Sequence, residues 1–326
     1  MKAVLCKTWG GPETLVVADL PSPRAGAGEV VVDVKAAGVN FPDVLMIQGK
    51  YQFKPPLPFT PGVELAGIVK EAGSGVTHAK PGDAVVANVA FGAFAEECVV
   101  PAARLVPLPR GVDFAAAAGF TVAYGTAWHA LKDRGELKPG ETLLVLGAAG
   151  GVGLAAVELG AAMGARVIAA ASSAEKLAVC RAHGAVETID YAIEDLRERL
   201  RALVGEKGVD VVYDPVGGAL SEPALRSVGW RGRFLVIGFA GGEIPRLPAN
   251  VPLLKGSTIV GVYWGEWLKR EPEASRREMV ELAGWLADGR VKPHVSARYP
   301  LARTADALTA LARRSVTGKV VIEPES

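Results

Sequence analysis

One stretch of this sequence has the residue types and the spacing to meet a phosphate group. Leu143-Leu144-Val145-Leu146 reads as a strand and runs directly into Gly147-Ala148-Ala149-Gly150-Gly151-Val152-Gly153, after which Leu154 to Met163 reads as an apolar helix. In that order the backbone can turn tightly, approach a pyrophosphate with no side chain in the way, and offer the unpaired N–H groups of a helix start to negative charge. The frame from Ala148 to Gly153 is A-x-G-x-x-G, so alanine replaces one glycine of the usual dinucleotide fingerprint. A purely structural tight turn is the alternative. Against it stands the βαβ unit of about 30 residues that follows. Ala149, Gly150, Gly151 and Val152 are therefore expected to bind a dinucleotide.

The end of the next strand bears on which dinucleotide. An NAD site usually places Asp or Glu about 20 residues beyond the glycine loop to hold the ribose 2′-hydroxyl. Arg166-Val167-Ile168-Ala169-Ala170-Ala171-Ser172-Ser173 contains no acid there. It offers two hydroxyls, Ser172 and Ser173, with Lys176 one turn on, a group suited to donating hydrogen bonds and positive charge to a 2′-phosphate. That composition favours NADPH. The plain alternative is that Ser172 caps a helix and Lys176 is a solvated surface charge.

These residues need a scaffold, and the hydrophobic pattern supplies one. Residues 1 to about 120 hold short valine-rich runs (Val30 to Val34, Ile68-Val69, Ala84 to Ala87, Cys98 to Val100) separated by turn sequences, as in a compact, barrel-like β domain. From about Tyr124 the rhythm becomes alternating strand and helix. Leu143 to Leu146, Arg166 to Ala170, Val209 to Tyr213, Phe234 to Ile237 and Thr258 to Val262 are near-continuously apolar, as strands covered on both faces are. Helical stretches at Leu154 to Met163, Ala174 to His183 and Leu196 to Val204 lie between them, predicting an α/β chain with a doubly wound parallel sheet. A helix at Arg276 to Asp288, a strand near Val295, a helix at Ala305 to Arg313 and a strand at Lys319 to Ile322 form a tail expected to rejoin the first domain. The expected domains are thus 1–123 completed by 265–326, and 124–264.

Composition narrows the function classes. With 326 residues, 50% hydrophobic, 22% charged and a net charge of +1, the chain is expected to be a folded soluble protein of two domains. No basic run with interleaved aromatics marks a nucleic-acid surface. No segment reaches the roughly 20 apolar residues of a membrane span. The start, Met1-Lys2-Ala3-Val4-Leu5-Cys6, alternates like a strand and lacks the features of a signal peptide. The 3 cysteines, Cys6, Cys98 and Cys180, are isolated in sequence, which argues against a disulfide framework and for a reducing compartment. We expect a cytoplasmic protein.

Ala37-Gly38-Val39-Asn40-Phe41-Pro42-Asp43, Pro61-Gly62-Val63-Glu64-Leu65-Ala66-Gly67, Gly125-Thr126-Ala127, the glycine loop and Gly318-Lys319-Val320-Val321 together carry a resemblance. From end to end the chain resembles the medium-chain dehydrogenase/reductase superfamily, in its quinone oxidoreductase (zeta-crystallin-like) branch. That implies a GroES-like β-barrel catalytic domain followed by a Rossmann dinucleotide-binding domain. Zinc alcohol dehydrogenases of the superfamily carry cysteine where this chain has Asn40, histidine where it has Val63 and cysteine where it has Ala118. Asn, Val and Ala supply none of the thiolate, imidazole or carboxylate donors that zinc needs, and Asn88 to Cys98 lacks the four-cysteine lobe of the zinc enzymes. The resemblance also implies that Asn40, Tyr51 and Thr126 lie near the nicotinamide and the substrate cleft. It further implies that Ser172, Lys176 and Tyr191 surround the adenosine phosphate, and that Phe239, Val262 and Trp264 line the cofactor. Each has a plainer alternative: Asn40 bonding a turn, Tyr51 packing beside Phe53 and Pro55, Tyr191 as core at a strand end.

The activity implied is NADPH-dependent reduction of quinones without zinc. Hydride transfer needs an electrophile held close to the nicotinamide, so positioning is the main demand. Asn40 or Tyr51 could meet a developing oxyanion, with Tyr51 a candidate proton donor. Reduction of an activated C=C bond in an enal, enone or acyl-CoA thioester is the nearest rival. A structural or RNA-associated NADPH-binding protein is the rival of another class. The β-rich run Ser257 to Trp264 is expected at a sheet edge, where pairing with a second copy would make a homodimer.

Overall fold

The computed structural model describes residues 1–324. The valine-rich alternation of the first hundred residues forms sheet. β1 (Lys2–Leu5) pairs antiparallel with β2 (Val16–Asp19). β3 (Glu29–Val39), buried along most of its length, leads into the short helix α1 (Phe41–Ile47). β4 (Glu64–Ala72), β5 (Ala84–Asn88), β6 (Glu97–Pro101) and β7 (Leu105–Pro107) follow, then α2 (Phe114–Ala118) and α3 (Thr121–Trp128). β3 pairs with both β4 and β6, β4 with β5, and β5 with β7, all antiparallel.

The second rhythm gives β8 (Thr142–Leu146), α4 (Gly151–Ala162), β9 (Arg166–Ala171), α5 (Ala174–Ala182), β10 (Glu187–Asp190), α6 (Leu196–Val204), β11 (Val209–Asp214), α7 (Ser221–Arg226), β12 (Val228–Val236), α8 (Asn250–Lys255) and β13 (Thr258–Gly261). These strands form one parallel sheet in the order β10-β9-β8-β11-β12-β13. Crossovers that start at β8 and build outward first one way and then the other produce this order. The chain reverses direction between β8 and β11, the place where such sheets leave a crevice beyond their carboxyl ends. All five residues of β8 are buried, which explains its unbroken apolar sequence.

After α9 (Trp264–Arg270) and α10 (Pro272–Ala287), the tail supplies β14 (Val295–Pro300), α11 (Thr304–Ala312) and β15 (Lys319–Glu323). β15 pairs antiparallel with β3 and parallel with β14, so the tail's last strand lies in the same sheet as the first long strand. The contacts divide the chain into two units: Met1–Val122 with everything from Met279 onward, and Ala123–Glu278. The second crossing therefore falls inside α10 and not at 265 as the sequence pattern predicts. The reason lies in α9. Trp264 covers Gly125 so closely that a Cβ there would stand 2.6 Å from the indole. Trp267 stacks on His129 with ring centroids 4.2 Å apart. Both contacts bind α9 to the second unit. Among the described residues, no helix is long and apolar enough to cross a membrane.

Candidate functional site

In the second unit, the loop between β8 and α4 turns at Gly147, whose φ of 55° is one that L side chains rarely adopt. The strained position is thus Gly147, and Ala148, the departure from the usual fingerprint, sits buried with its N–H donating to Ala170 O on β9 at 3.0 Å. Gly150 stands exposed in extended conformation at the N-cap of α4, a helix of 12 residues. Gly153 is required by packing, because a Cβ there would overlap the Gly147 carbonyl and come within 2.9 Å of Ala148 Cα. The loop therefore presents a bare backbone and a helix start, the arrangement a pyrophosphate needs.

The neighbouring strand ends bring the next residues to the same edge of the sheet. β9 lies between β8 and β10, and Tyr191 N donates to Ala171 O at 3.1 Å, which sets Tyr191 beside the end of β9. Lys176 Nζ donates to Ser172 Oγ at 3.2 Å. The helix cap is Ser173, whose hydroxyl accepts from Lys176 N, so the alternative that Ser172 serves as the cap does not describe this fold. At the far strands, Val262 N donates to Val236 O at 3.0 Å, and Phe239 packs against Gly217. Thr126 follows Gly125 on α3, next to the residue that Trp264 covers.

In the first unit, Asn40 ends β3 and begins α1, with 6% of its surface exposed. Its carboxamide is fully engaged. Nδ2 donates to Glu64 Oε1 at 2.8 Å and to Gly38 O at 3.3 Å, and Oδ1 accepts from Lys319 Nζ at 2.6 Å. Glu64, with no exposed surface, accepts four hydrogen bonds: from Asn40 and Lys319 Nζ (2.9 Å) on Oε1, and from Thr121 Oγ1 (2.7 Å) and Val122 N (2.8 Å) on Oε2. The third Lys319 donor reaches Val39 O at 3.1 Å. Asn40 N donates to Asp43 Oδ2 at 2.8 Å. Burial pushes the Asp43 carboxyl up to about 7; its bond from Asn40 and the nearby Lys319 charge pull the other way. Tyr51 is half-buried against the core of this unit, while Phe53 stacks on Phe91 at 6.2 Å.

The sequence pattern alone gives no role to Glu64, Thr121, Asp43 or Lys319. The signal was present in Val63-Glu64-Leu65 and Lys319-Val320-Val321, where a charge interrupts an apolar run and burial demands a partner.

Residues 26–110 match the alcohol dehydrogenase GroES-like domain family, and residues 151–283 match the zinc-binding dehydrogenase family. The chain is 41% identical over 325 residues to the quinone oxidoreductase-like protein 2 homolog of Nematostella vectensis, covering 98% of this chain and 88% of that one. The Escherichia coli quinone oxidoreductase complexed with NADPH superposes with a TM-score of 0.93 at 32% identity, covering 99% of this chain and 100% of that one. The Thermus thermophilus quinone oxidoreductase, also solved with NADPH, gives 0.87 at 37%, with coverage of 99% and 100%.

The second family's description implies zinc, and the residues here do not fit it. Asn40 has spent its carboxamide on Glu64 and Lys319, Val63 and Ala118 have no donor, and the Lys319 ammonium already brings a positive charge to Asn40 Oδ1. Among the described residues, no group of three or more His, Cys, Asp or Glu side chains is placed to hold a metal ion.

The Asp43 carboxyl gives a pH test. Because its folded pKa lies above the unfolded value, its favourable contribution is complete below about pH 4 and is lost as the pH rises through about 7. Asp43→Asn keeps an acceptor for Asn40 N and removes the titration. Urea unfolding should show wild type losing roughly 2–3 kcal/mol relative to this variant between pH 5 and pH 8. A constant difference across that range would contradict it.

Proposed function

We infer that this chain, which belongs to the quinone oxidoreductase branch of the medium-chain dehydrogenase/reductase superfamily, uses NADPH to reduce quinones or related conjugated carbonyl compounds without zinc. NADPH, when bound, supplies the hydride. The observation that carries the reading is the closed polar cluster around Asn40. Its donors and acceptors are taken up within the protein, and a lysine ammonium, not a metal, provides its positive charge. An acceptor reduced beside such a cluster must need no Lewis-acid activation, and quinones meet that condition.

The residues at the second unit's sheet edge favour NADPH over NADH. The glycine loop and the start of α4 suit the pyrophosphate. Ser172, Lys176 and Tyr191, gathered past the ends of β9 and β10, offer hydroxyls and a cation to the 2′-phosphate, and the end of β9 carries no acid to hold a free 2′-hydroxyl. The relatives solved with NADPH support the same cofactor. Thr126, Phe239, Val262 and Trp264 are assigned to the nicotinamide side of this binding surface. Asn40 acts by shape and position, since its carboxamide has no spare hydrogen for an oxyanion. Tyr51 is the proton donor in this reading, and Phe53 on Phe91, with 39% and 38% of their surfaces exposed, offers a flat apolar platform for a planar acceptor.

We assign the working form to a two-fold dimer in the cytoplasm. β13 is the last strand of its sheet and its face is open, with Ile259 39% exposed, so pairing with the same strand of a second copy would cover an otherwise vulnerable edge. Cys6, Cys98 and Cys180 are buried free thiols, and burial holds Cys98 and Cys180 at about 12, where they stay unreactive.

Two experiments follow. With NADPH and NADH in parallel, 9,10-phenanthrenequinone and 1,2-naphthoquinone should turn over, whereas crotonyl-CoA and an alkenal should be poor acceptors. Lys176→Ala should raise KM for NADPH by about 10- to 100-fold and change that for NADH little. Turnover of the CoA ester alone would replace quinone reduction with reduction of an activated C=C bond, and equal losses with both cofactors would remove Lys176 from the 2′-phosphate. For the dimer, light scattering at micromolar concentration should give twice the chain mass for wild type and a smaller mass for Ile259→Glu. A monomeric wild type would reject the pairing.

A further inference from the structure

Glu64, Lys319 and Asn40 come from three distant parts of the sequence, yet their hydrogen-bonding capacities match one another with nothing left over. A lysine ammonium has three N–H donors, and all three are used: on Val39 O, Asn40 Oδ1 and Glu64 Oε1. The Glu64 carboxylate accepts four bonds, two on each oxygen. The Asn40 carboxamide has both N–H groups and its oxygen engaged. The side chains of Lys319 and Glu64 are 4% and 0% exposed.

Such a cluster can orient a carboxamide in one way only. An ammonium donates and never accepts, so it must face Oδ1. A carboxylate accepts and never donates, so it must face Nδ2. Two buried charges thus remove the amide-flip ambiguity that a solvated asparagine would have. The packing leaves little alternative: a Cβ on Gly38 would overlap Glu64 and the Ala118 carbonyl, and one on Gly119 would stand 3.0 Å from the Lys319 stem. These two glycines leave room for the charged pair.

We propose that Glu64 and Lys319 are positioning residues that fix the orientation of the Asn40 carboxamide, and that the rate of acceptor reduction depends on that fixation. The rate part rests on the function proposed above; the orientation part does not. Replacing Lys319 by methionine strands a carboxylate in a site without solvent and removes the anchor on Oδ1, while Glu64 and Gly38 O still hold Nδ2, so the carboxamide keeps its sense but is held at one end only. Removing both charges together, in Glu64→Gln/Lys319→Met, leaves no unpaired buried charge, but the glutamine oxygen must face the Thr121 and Val122 donors, so its NH2 faces Asn40 and calls for Oδ1 there, turning the carboxamide over.

The sequence contains only three asparagines, Asn40, Asn88 and Asn250, so protein labelled with ¹⁵N-asparagine gives three side-chain amide pairs. In wild type the Asn40 pair should exchange slowly with solvent. In Lys319→Met it should shift and exchange faster while the Asn250 pair stays in place, and in the double variant it should not return to its wild-type position. In parallel kinetics with 9,10-phenanthrenequinone, Lys319→Met should lower kcat on the order of 10- to 100-fold with KM for NADPH changed less than about threefold, and the double variant, relieved of the buried charge but with the carboxamide turned, should stay low in kcat. An unmoved Asn40 pair in Lys319→Met overturns the orientation claim, and a moved pair with wild-type kcat overturns the claim on rate. If Lys319→Met does not fold, the double variant decides: a displaced Asn40 pair with lowered kcat supports the role of the charged pair, and a wild-type Asn40 pair with near-wild-type kcat refutes it. If wild type reduces no quinone, the proposed function falls with the rate claim, while the amide spectra still judge the orientation.

Discussion

A carboxylate with no access to water can persist only where every lone pair meets a donor and a counter-charge stands close by, and Glu64 imposes that condition on its unit. Its four donors come from α1's cap residue, from the first residues of α3 and from β15. Lys319 adds the end of β3 through Val39. One buried group therefore ties together the start of β4, the corner between β3 and α1, the entry to α3 and the returning tail. The tail's placement is a condition of the cluster: without β15 beside β3, the Glu64 charge would have no partner. Breaking one member of a buried pair costs far more than a surface pair is worth.

A different constraint governs the second unit. A parallel sheet covered on both faces leaves its chemistry to the carboxyl ends of its strands, so the residues that meet a ligand follow the strands and are not part of them. Gly147 follows β8, and the residues proposed for the cofactor, Ser172, Tyr191 and Val262, follow β9, β10 and β13. Because β8 is central and β9 and β10 lie to one side of it, the glycine loop and the Ser172, Lys176 and Tyr191 group occupy neighbouring positions along one edge. The positive φ at Gly147 shows how the loop tolerates Ala148: the turn is made one residue earlier than the six-residue fingerprint places it.

Much of this was legible in the sequence for a physical reason. Strands such as Leu143 to Leu146, buried on both faces, write themselves as unbroken apolar runs, and a glycine loop between such a run and a helix has few other uses. The barrel-like β domain and the doubly wound sheet were legible in the same way, and the resemblance carried by the Asn40, Glu64 and glycine-loop stretches added their GroES-like and Rossmann identity. Short polar-ended elements were not. The helices α7, α8 and α9 have 6 or 7 residues and no long periodic face, so local pattern passes over them. Nor could local pattern show that Trp264 and Trp267 hold α9 to Gly125 on α3 and to His129 just beyond it, which moves the second boundary into α10. The Glu64 and Lys319 pair spans 255 positions. Each residue separately reads as a charge in an apolar strand, and only the pairing of β15 with β3 gives the two a common meaning. Ser173 and Ser172 show the limit at its smallest scale, since a spacing rule cannot tell which of two adjacent hydroxyls caps and which meets the lysine.

In the function proposed above a lysine-anchored cluster, not a metal, furnishes the polar floor beside Asn40, and independence of zinc can be measured directly. Protein dialysed exhaustively against a strong chelator, with its zinc content determined by mass spectrometry, should reduce 9,10-phenanthrenequinone with NADPH as fast as untreated protein, and added zinc should not accelerate it. Loss of turnover on chelation, restored by stoichiometric zinc, would contradict the account.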